Sequence, residues 1–60
     1  LEMYKMAQKY YEKCLELQKS HGSVRTVAQI HNSLGGIALK LNDNQNALRH
    51  FQTSLELNNL

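Results

Sequence analysis

The chain has 60 residues, a formal net charge of +2, 42% hydrophobic residues and 20% charged residues. A chain this short forms one small domain with a thin hydrophobic core, so we expect no enclosed enzyme cleft, and its composition excludes collagen-like and disordered classes. The small net charge does not indicate nucleic acid or an anionic membrane as partner, and no apolar run approaches the roughly 18 residues of a membrane span. One cysteine forms no internal disulfide, which favours a reducing, cytoplasmic setting.

The first predicted helix runs from about Met3 to Lys19, because apolar and charged residues fall on opposite halves of a helix that turns about 100° per residue. The apolar half consists of Met3, Met6, Ala7, Tyr10, Tyr11, Cys14, Leu15 and Leu17. The charged half consists of Glu2, Lys5, Lys9, Glu12, Lys13, Glu16 and Lys19. We interpret the charged half as a solvated face with three pairs of opposite charge: Lys9 with Glu12, Lys13 with Glu16, and Glu16 with Lys19.

The second predicted helix runs from about Val24 to Leu41. Gly22 lies where the first pattern breaks, so we expect a left-handed glycine to close the first helix and Ser23 to cap the second. The apolar half of the second helix consists of Val24, Val27, Ala28, Ile30, His31, Leu34, Gly35, Ile37, Ala38 and Leu41. Its other half consists of Arg25, Thr26, Gln29, Asn32, Ser33, Gly36, Leu39 and Lys40.

The third predicted helix runs from about Asn44 to Leu57. The preceding Asn42 and Asp43 provide a residue that tolerates positive φ and then an N-cap. The apolar stripe of this helix consists of Ala47, Leu48, Phe51, Ser54 and Leu55. Because both connections are short, each helix should pack antiparallel, or nearly so, against its neighbour, which predicts an all-α fold of helical hairpins.

The chain also contains an internal repeat. A shift of 40 residues superposes four features: Ala7 on Ala47, Tyr11 on Phe51, Cys14 on Ser54, and Leu15-Glu16-Leu17 on Leu55-Glu56-Leu57. A period of this size indicates stacked helical hairpins. We therefore predict that residues 1–20 form the second helix of one repeat and that residues 23–60 form the complete hairpin of the next.

These residues resemble the tetratricopeptide repeats. Leu34-Gly35 is similar to the Leu-Gly pair of the family's first helix, and the second-helix pattern matches Ala47, Phe51 and Ser54-Leu55. The preceding half-repeat matches the same template through Tyr4, Ala7, Tyr11 and Cys14-Leu15. The chain departs from the family pattern at His31, Ala38 and Asn42, and no proline ends its last helix. The 40-residue period is similar to the long-repeat subtype of Pins/LGN-type scaffolds and kinesin light chains.

The resemblance implies about one and a half repeats of an α-solenoid that acts as a protein-protein interaction module, a scaffold or adaptor, without catalysis or a cofactor. In this family the first helix of each repeat lines a concave surface that binds a partner peptide. The residues at the corresponding positions of this chain are Gln29, Asn32, Gly36, Leu39 and Lys40. Arg25 projects on the same side of the helix and is included in the predicted binding surface. The missing side chain at Gly36 would admit a partner's backbone; alternatively, Gly36 only relieves packing.

Motifs for other chemistry are almost absent. His21, His31 and His50 lack the i, i+4 spacing that places two ligands on one metal, so we predict no metal site. His31 is interpreted as a partly buried packing residue, with a pH-sensitive switch as the alternative. Cys14 lies on the apolar half and is interpreted as a small core residue rather than a nucleophile. Gly35-Gly36 has no preceding strand and is no phosphate loop.

Two other functions stay open. The first is a structural segment that associates with itself, since stacked repeats bury their faces on neighbours. The apolar half of the first helix accordingly predicts a longer array or a homo-oligomer that covers Met3, Met6, Tyr10 and Leu17. The second is a helix-turn-helix nucleic-acid binder, but the exposed half of the second helix offers only two cations, Arg25 and Lys40, where such affinity needs several phosphate contacts.

Overall fold

The computed structural model describes residues 2–60, which form three α-helices: α1 (Glu2–His21), α2 (Val24–Lys40) and α3 (Asn44–Asn58). No strand occurs within this range, so the predicted all-α class is confirmed. Helix α2 packs against both α1 and α3, whereas the Cα atoms of α1 and α3 nowhere approach within 8 Å in the described part of the chain. The helices therefore form a flat row of 32 × 21 × 11 Å with α2 at its centre.

The first connection differs from the prediction at Gly22. Gly22 does not have positive φ, and its amide donates to the Gln18 carbonyl over 2.7 Å, continuing the hydrogen bonding of α1. A Cβ at this position would lie 2.6 Å from the Gln18 Cβ and 2.7 Å from the Gln18 carbonyl oxygen. The glycine is therefore required for close approach and not for a left-handed conformation. Ser23 caps α2 as predicted, since its hydroxyl accepts from the Thr26 amide over 3.1 Å.

The second connection confirms the predicted turn. Asn42 has φ of 61°, and its amide donates to the Leu39 carbonyl over 3.0 Å while the Asp43 amide donates to the Ala38 carbonyl over 2.8 Å. This pair of bonds is the Schellman motif, which satisfies the last carbonyls of α2. Leu41 lies outside the helix as its C-cap, one residue beyond the observed end of α2. The Asp43 carboxylate caps α3, accepting from the Asn46 amide over 3.4 Å and from the Asn46 side chain over 2.7 Å.

The core lies along the seam between α2 and α3. Leu34 is the largest fully buried side chain, with 1% of its surface exposed. The other buried positions are Ala28, Ile30, Gly35, Ala38, Ala47 and Ser54. Most of the predicted apolar half of α2 is thus buried or half-buried, but Val24 is exposed because it begins the helix. Two members of the predicted α3 stripe, Leu48 and Leu55, are also exposed, because no helix covers that side of α3 in the described residues.

Gly35 sets the distance between α2 and α3. A Cβ at Gly35 would lie 2.7 to 2.9 Å from three ring atoms of Phe51. Real Cβ atoms do not approach other atoms so closely, because repulsion rises steeply below van der Waals contact. The aromatic ring of α3 therefore packs directly on the backbone of α2, which explains the Leu-Gly pair of the repeat pattern.

Helix α1 is the least buried of the three helices. It contains no buried residue, and its predicted charged half is exposed throughout. Of the three predicted charge pairs, only Lys19 and Glu16 form an ion pair in the described residues, with 3.5 Å between nitrogen and oxygen. Its exposed apolar side chains are Met3, Met6, Tyr10 and Leu17, with Tyr4 partly so. No helix among residues 2–60 combines the length and apolar character needed to cross a membrane.

Candidate functional site

An open groove of about 370 Å³ lies between α1 and α2. Six residues from the two helices line it: Tyr4, Tyr11, Ser33, Gly36, Ile37 and Lys40. Tyr4 and Tyr11 lie seven residues apart and therefore share one face of α1, while Ser33, Ile37 and Lys40 follow the same rule on α2. The groove is thus formed by two stripes that face each other: the aromatic stripe of α1 and the stripe of polar and apolar residues on α2.

Gly36 leaves space at the groove. A Cβ at Gly36 would meet no atom within 4 Å, in contrast to Gly35, where it would collide with Phe51. The neighbours of Gly36 within the described residues therefore place no packing demand on a glycine. Because Gly costs about 0.8–1 kcal/mol relative to Ala inside a helix, its presence in α2 is not explained by the stability of this fold.

The polar character of the groove comes from one charge and three hydroxyl groups. Lys40 is its only charged lining residue, is exposed, and forms no ion pair in the part of the chain that the structure describes. Tyr4, Tyr11 and Ser33 supply hydroxyl groups, and the tyrosine rings with Ile37 supply apolar surface. The Tyr11 ring also contacts the Tyr10 ring edge to face, with centroids 5.4 Å apart, but Tyr10 does not line the groove. Such a surface suits an apolar side chain next to an acidic group.

The predicted binding residues fall into two groups. Gly36 and Lys40 line the groove, whereas four residues lie outside it on α2: Arg25, Gln29, Asn32 and Leu39. All four are exposed, so they form a solvent-accessible stripe on α2. Sequence reasoning missed Ser33 and Ile37 because it divided α2 into an apolar and a polar half, and the groove lies on the border between them. Sequence reasoning placed Tyr4 and Tyr11 in the repeat pattern and not in a site, although their seven-residue spacing indicates that they share one face of α1.

The structure also brings together two histidines that sequence reasoning treated separately. The Nδ1 atoms of His31 on α2 and His50 on α3 lie 3.0 Å apart, and both rings are half-buried. Burial lowers the pKa of His31, and the nearby His50 lowers it further. The spacing rule applied to the sequence considers ligands on one helix only, so it could not find a pair that spans two helices. No group of three or more metal-ligating side chains occurs in residues 2–60.

Comparison with known families identifies the chain. The tetratricopeptide repeat family model matches residues 1–59. The chain therefore belongs to the tetratricopeptide repeat family, whose members generally act in protein-protein interaction. Comparisons with curated proteins and with solved structures give no match.

Proposed function

We propose that this chain is a non-catalytic scaffold or adaptor segment that binds an extended or helical segment of a partner protein along the exposed side of α2. The observation that carries the proposal is the open space above Gly36 in the groove between α1 and α2. A partner's main chain can approach the helix backbone there, where any larger residue would keep it away. The tyrosines of α1 and Ile37 then accept one apolar side chain of the partner.

The exposed stripe on α2 complements the groove. The Gln29 and Asn32 amides would hold the partner's main chain, with Arg25 at the far end of the stripe. Lys40 would meet an acidic side chain or a terminal carboxylate, and Leu39 would contact an apolar residue. An exposed ion pair contributes at most about 1 kcal/mol and a hydrogen bond about 0.5–1.5 kcal/mol. Shape and the amide contacts should therefore determine affinity more than charge does.

The binding surface is tested by substituting the stripe in the full chain. A displayed library of random peptides is selected on the unsubstituted protein, and the enriched peptides are measured by calorimetry. We expect Asn32→Ala and Gly36→Arg each to weaken binding by about 1 kcal/mol or more, because one removes an amide contact and the other fills the groove. Circular dichroism should show that both variants remain folded.

Lys9→Ala provides the matched control on the solvated face of α1. It should leave peptide binding unchanged, because Lys9 is exposed and makes no ion pair in the described residues. A loss of binding in Lys9→Ala, together with unchanged binding in Asn32→Ala and Gly36→Arg, would place the binding surface on the opposite side of the layer.

A second proposal concerns the outer faces of α1 and α3, which we infer to be covered by further repeats or by a second copy. The 40-residue shift places Gln8 and Leu15 of α1 over Leu48 and Leu55 of α3. The α1 positions are half-buried, whereas the two α3 leucines are 60% and 63% exposed. Helix α2 packs beside α1, and an equivalent helix beside α3 would bury both leucines. Self-association as the chain's main role is the alternative function that this surface supports.

The isolated 60-residue chain tests that inference. At micromolar concentration we expect it to self-associate, since the apolar side chains of α1 and α3 that are exposed within residues 2–60 would be buried on a neighbouring copy, as the faces of stacked repeats are. Sedimentation velocity and thermal melting provide the measurement. A well-folded monomer that melts cooperatively would contradict the inference, whereas replacing Leu55 by Lys should reduce self-association if it is correct.

The remaining functional expectations have narrower support. Arg25 and Lys40 are the only lysine or arginine residues of α2, which argues against a nucleic-acid interface on this helix. A cytoplasmic location stays a proposal that rests on the single, unpaired Cys14.

A further inference from the structure

The imidazole rings of His31 and His50 face each other across the seam between α2 and α3. Their Nδ1 atoms are 3.0 Å apart, and the ring centroids are 5.2 Å apart. The centroid separation exceeds the Nδ1 separation by 2.2 Å, which is close to the sum of the two distances from a ring centre to its own Nδ1. Each Nδ1 therefore lies close to the line that joins the two ring centres. This head-on arrangement is that of a hydrogen bond between the rings. Two ligands of one metal ion would instead direct their lone pairs at a third point.

The head-on geometry determines how many protons the pair can hold. A bond between two Nδ1 atoms needs a donor on one ring and an acceptor on the other. Two neutral rings satisfy this condition when one carries its proton on Nδ1 and the other on Nε2, and a single added proton preserves it. A second added proton removes the acceptor and leaves two like charges at the seam.

No other charged group of the three helices compensates the pair. On α2, the residues one turn before and after His31 are uncharged. On α3, Arg49 adjoins His50 in sequence, but it is exposed and forms no ion pair in residues 2–60. Neither histidine forms an ion pair with a carboxylate of any helix within residues 2–60. A carboxylate that could stabilise the doubly protonated pair is therefore absent from its described surroundings.

We propose that the His31–His50 pair is a proton-operated latch between α2 and α3, closed at neutral pH and released when both imidazoles are protonated in mild acid. Release opens the seam because the hydrogen bond is lost and the two cations repel each other. The latch lies within the hairpin itself, so it does not depend on the proposed peptide-binding function.

The direction of the pH dependence follows from the lowered pKa of His31. In the folded chain this ring binds its proton less readily than in the unfolded chain, whose histidines have a pKa near 6.5. The unfolded state therefore holds more protons in mild acid, and protonation favours unfolding. The stabilisation is fully present above a pH of about 6.5 and is lost as the pH falls through the lowered pKa of His31.

The latch is tested by urea unfolding of the full chain at about pH 7.5 and about pH 5, with a chelator present to exclude metal effects. His31→Asn and His50→Asn place a neutral amide near the position of Nδ1 and keep a hydrogen bond possible at both pH values. We expect acidification to raise the unfolding equilibrium constant several-fold more in the unsubstituted chain than in either variant. His21→Asn is the control, because His21 is exposed at the end of α1, and it should retain the full pH dependence.

Two results would overturn the latch. One is an equal pH dependence in the unsubstituted chain and both seam variants. The other comes from nitrogen-detected NMR of the unsubstituted chain, which serves even if the variants do not fold. We expect one ring to carry its proton on Nδ1 and the other on Nε2 near neutral pH. Two rings that both carry their protons on Nε2 could form no bond between the Nδ1 atoms, and the latch would not exist.

Discussion

Gly35→Ala should lower the free energy of unfolding by about 1–3 kcal/mol, the range for overpacking a well-packed core. The added Cβ would lie 2.7 to 2.9 Å from three ring atoms of Phe51, so either the ring must shift or α2 and α3 must separate. The gain in helix propensity from replacing glycine, about 1 kcal/mol, opposes this effect but does not remove the collision. Urea unfolding of the full chain, followed by circular dichroism, measures the difference.

Gly36→Ala is the matched control, one residue further along the same helix. No atom lies within 4 Å of the added Cβ, so the substitution should raise the free energy of unfolding by up to about 1 kcal/mol. The two substitutions are chemically identical but should change the free energy of unfolding in opposite directions. If both stabilised the chain to the same extent, the close packing of Phe51 on α2 would be wrong.

Leu34→Ala should have the largest effect of any single substitution considered for this chain, a loss of about 2–5 kcal/mol. Leu34 is 1% exposed at the centre of the core, and truncation removes buried methyl groups and leaves a cavity between α2 and α3. In a chain with so few buried residues, this loss is a large fraction of the total stability. Thermal unfolding in the full chain provides the measurement.

Leu39→Ala is the control for Leu34→Ala on the same helix. Leu39 is 49% exposed, so its truncation should change the free energy of unfolding by less than about 0.5 kcal/mol. Equal losses in the two variants would show that the core is not centred on Leu34.

The helices and their caps were predictable because their determinants are local. The alternation of apolar and charged residues sets the helix faces, while Ser23, Asn42 and Asp43 form the expected caps and turn within a few residues of their partners. Gly22 was assigned the wrong role because glycine has two uses, positive φ and close approach, and the sequence does not distinguish them. The collision with Gln18 arises because α1 continues to His21, beyond its predicted end at about Lys19.

The groove and the histidine pair were less predictable because both depend on contacts between helices. The exposed positions of α2 followed from its periodicity, but the contribution of Tyr4 and Tyr11 depends on how α1 lies against α2. The pairing of His31 with His50 depends on the register of α3 on α2, which no pattern within either helix determines. Periodicity thus predicts which side of a helix is exposed or buried, but it does not predict which residues of another helix contact that side.

The flat row of helices has a consequence for how stability grows with length. A layer one helix deep has no interior apart from the seams between adjacent helices, so each added helix contributes one more seam. Helix α2 borders two seams and contains five buried residues, whereas α1 borders one and contains none. Total stability should therefore increase with each added helix. A helix at either end can detach at the cost of a single seam, and this cost is smaller for α1 than for α3.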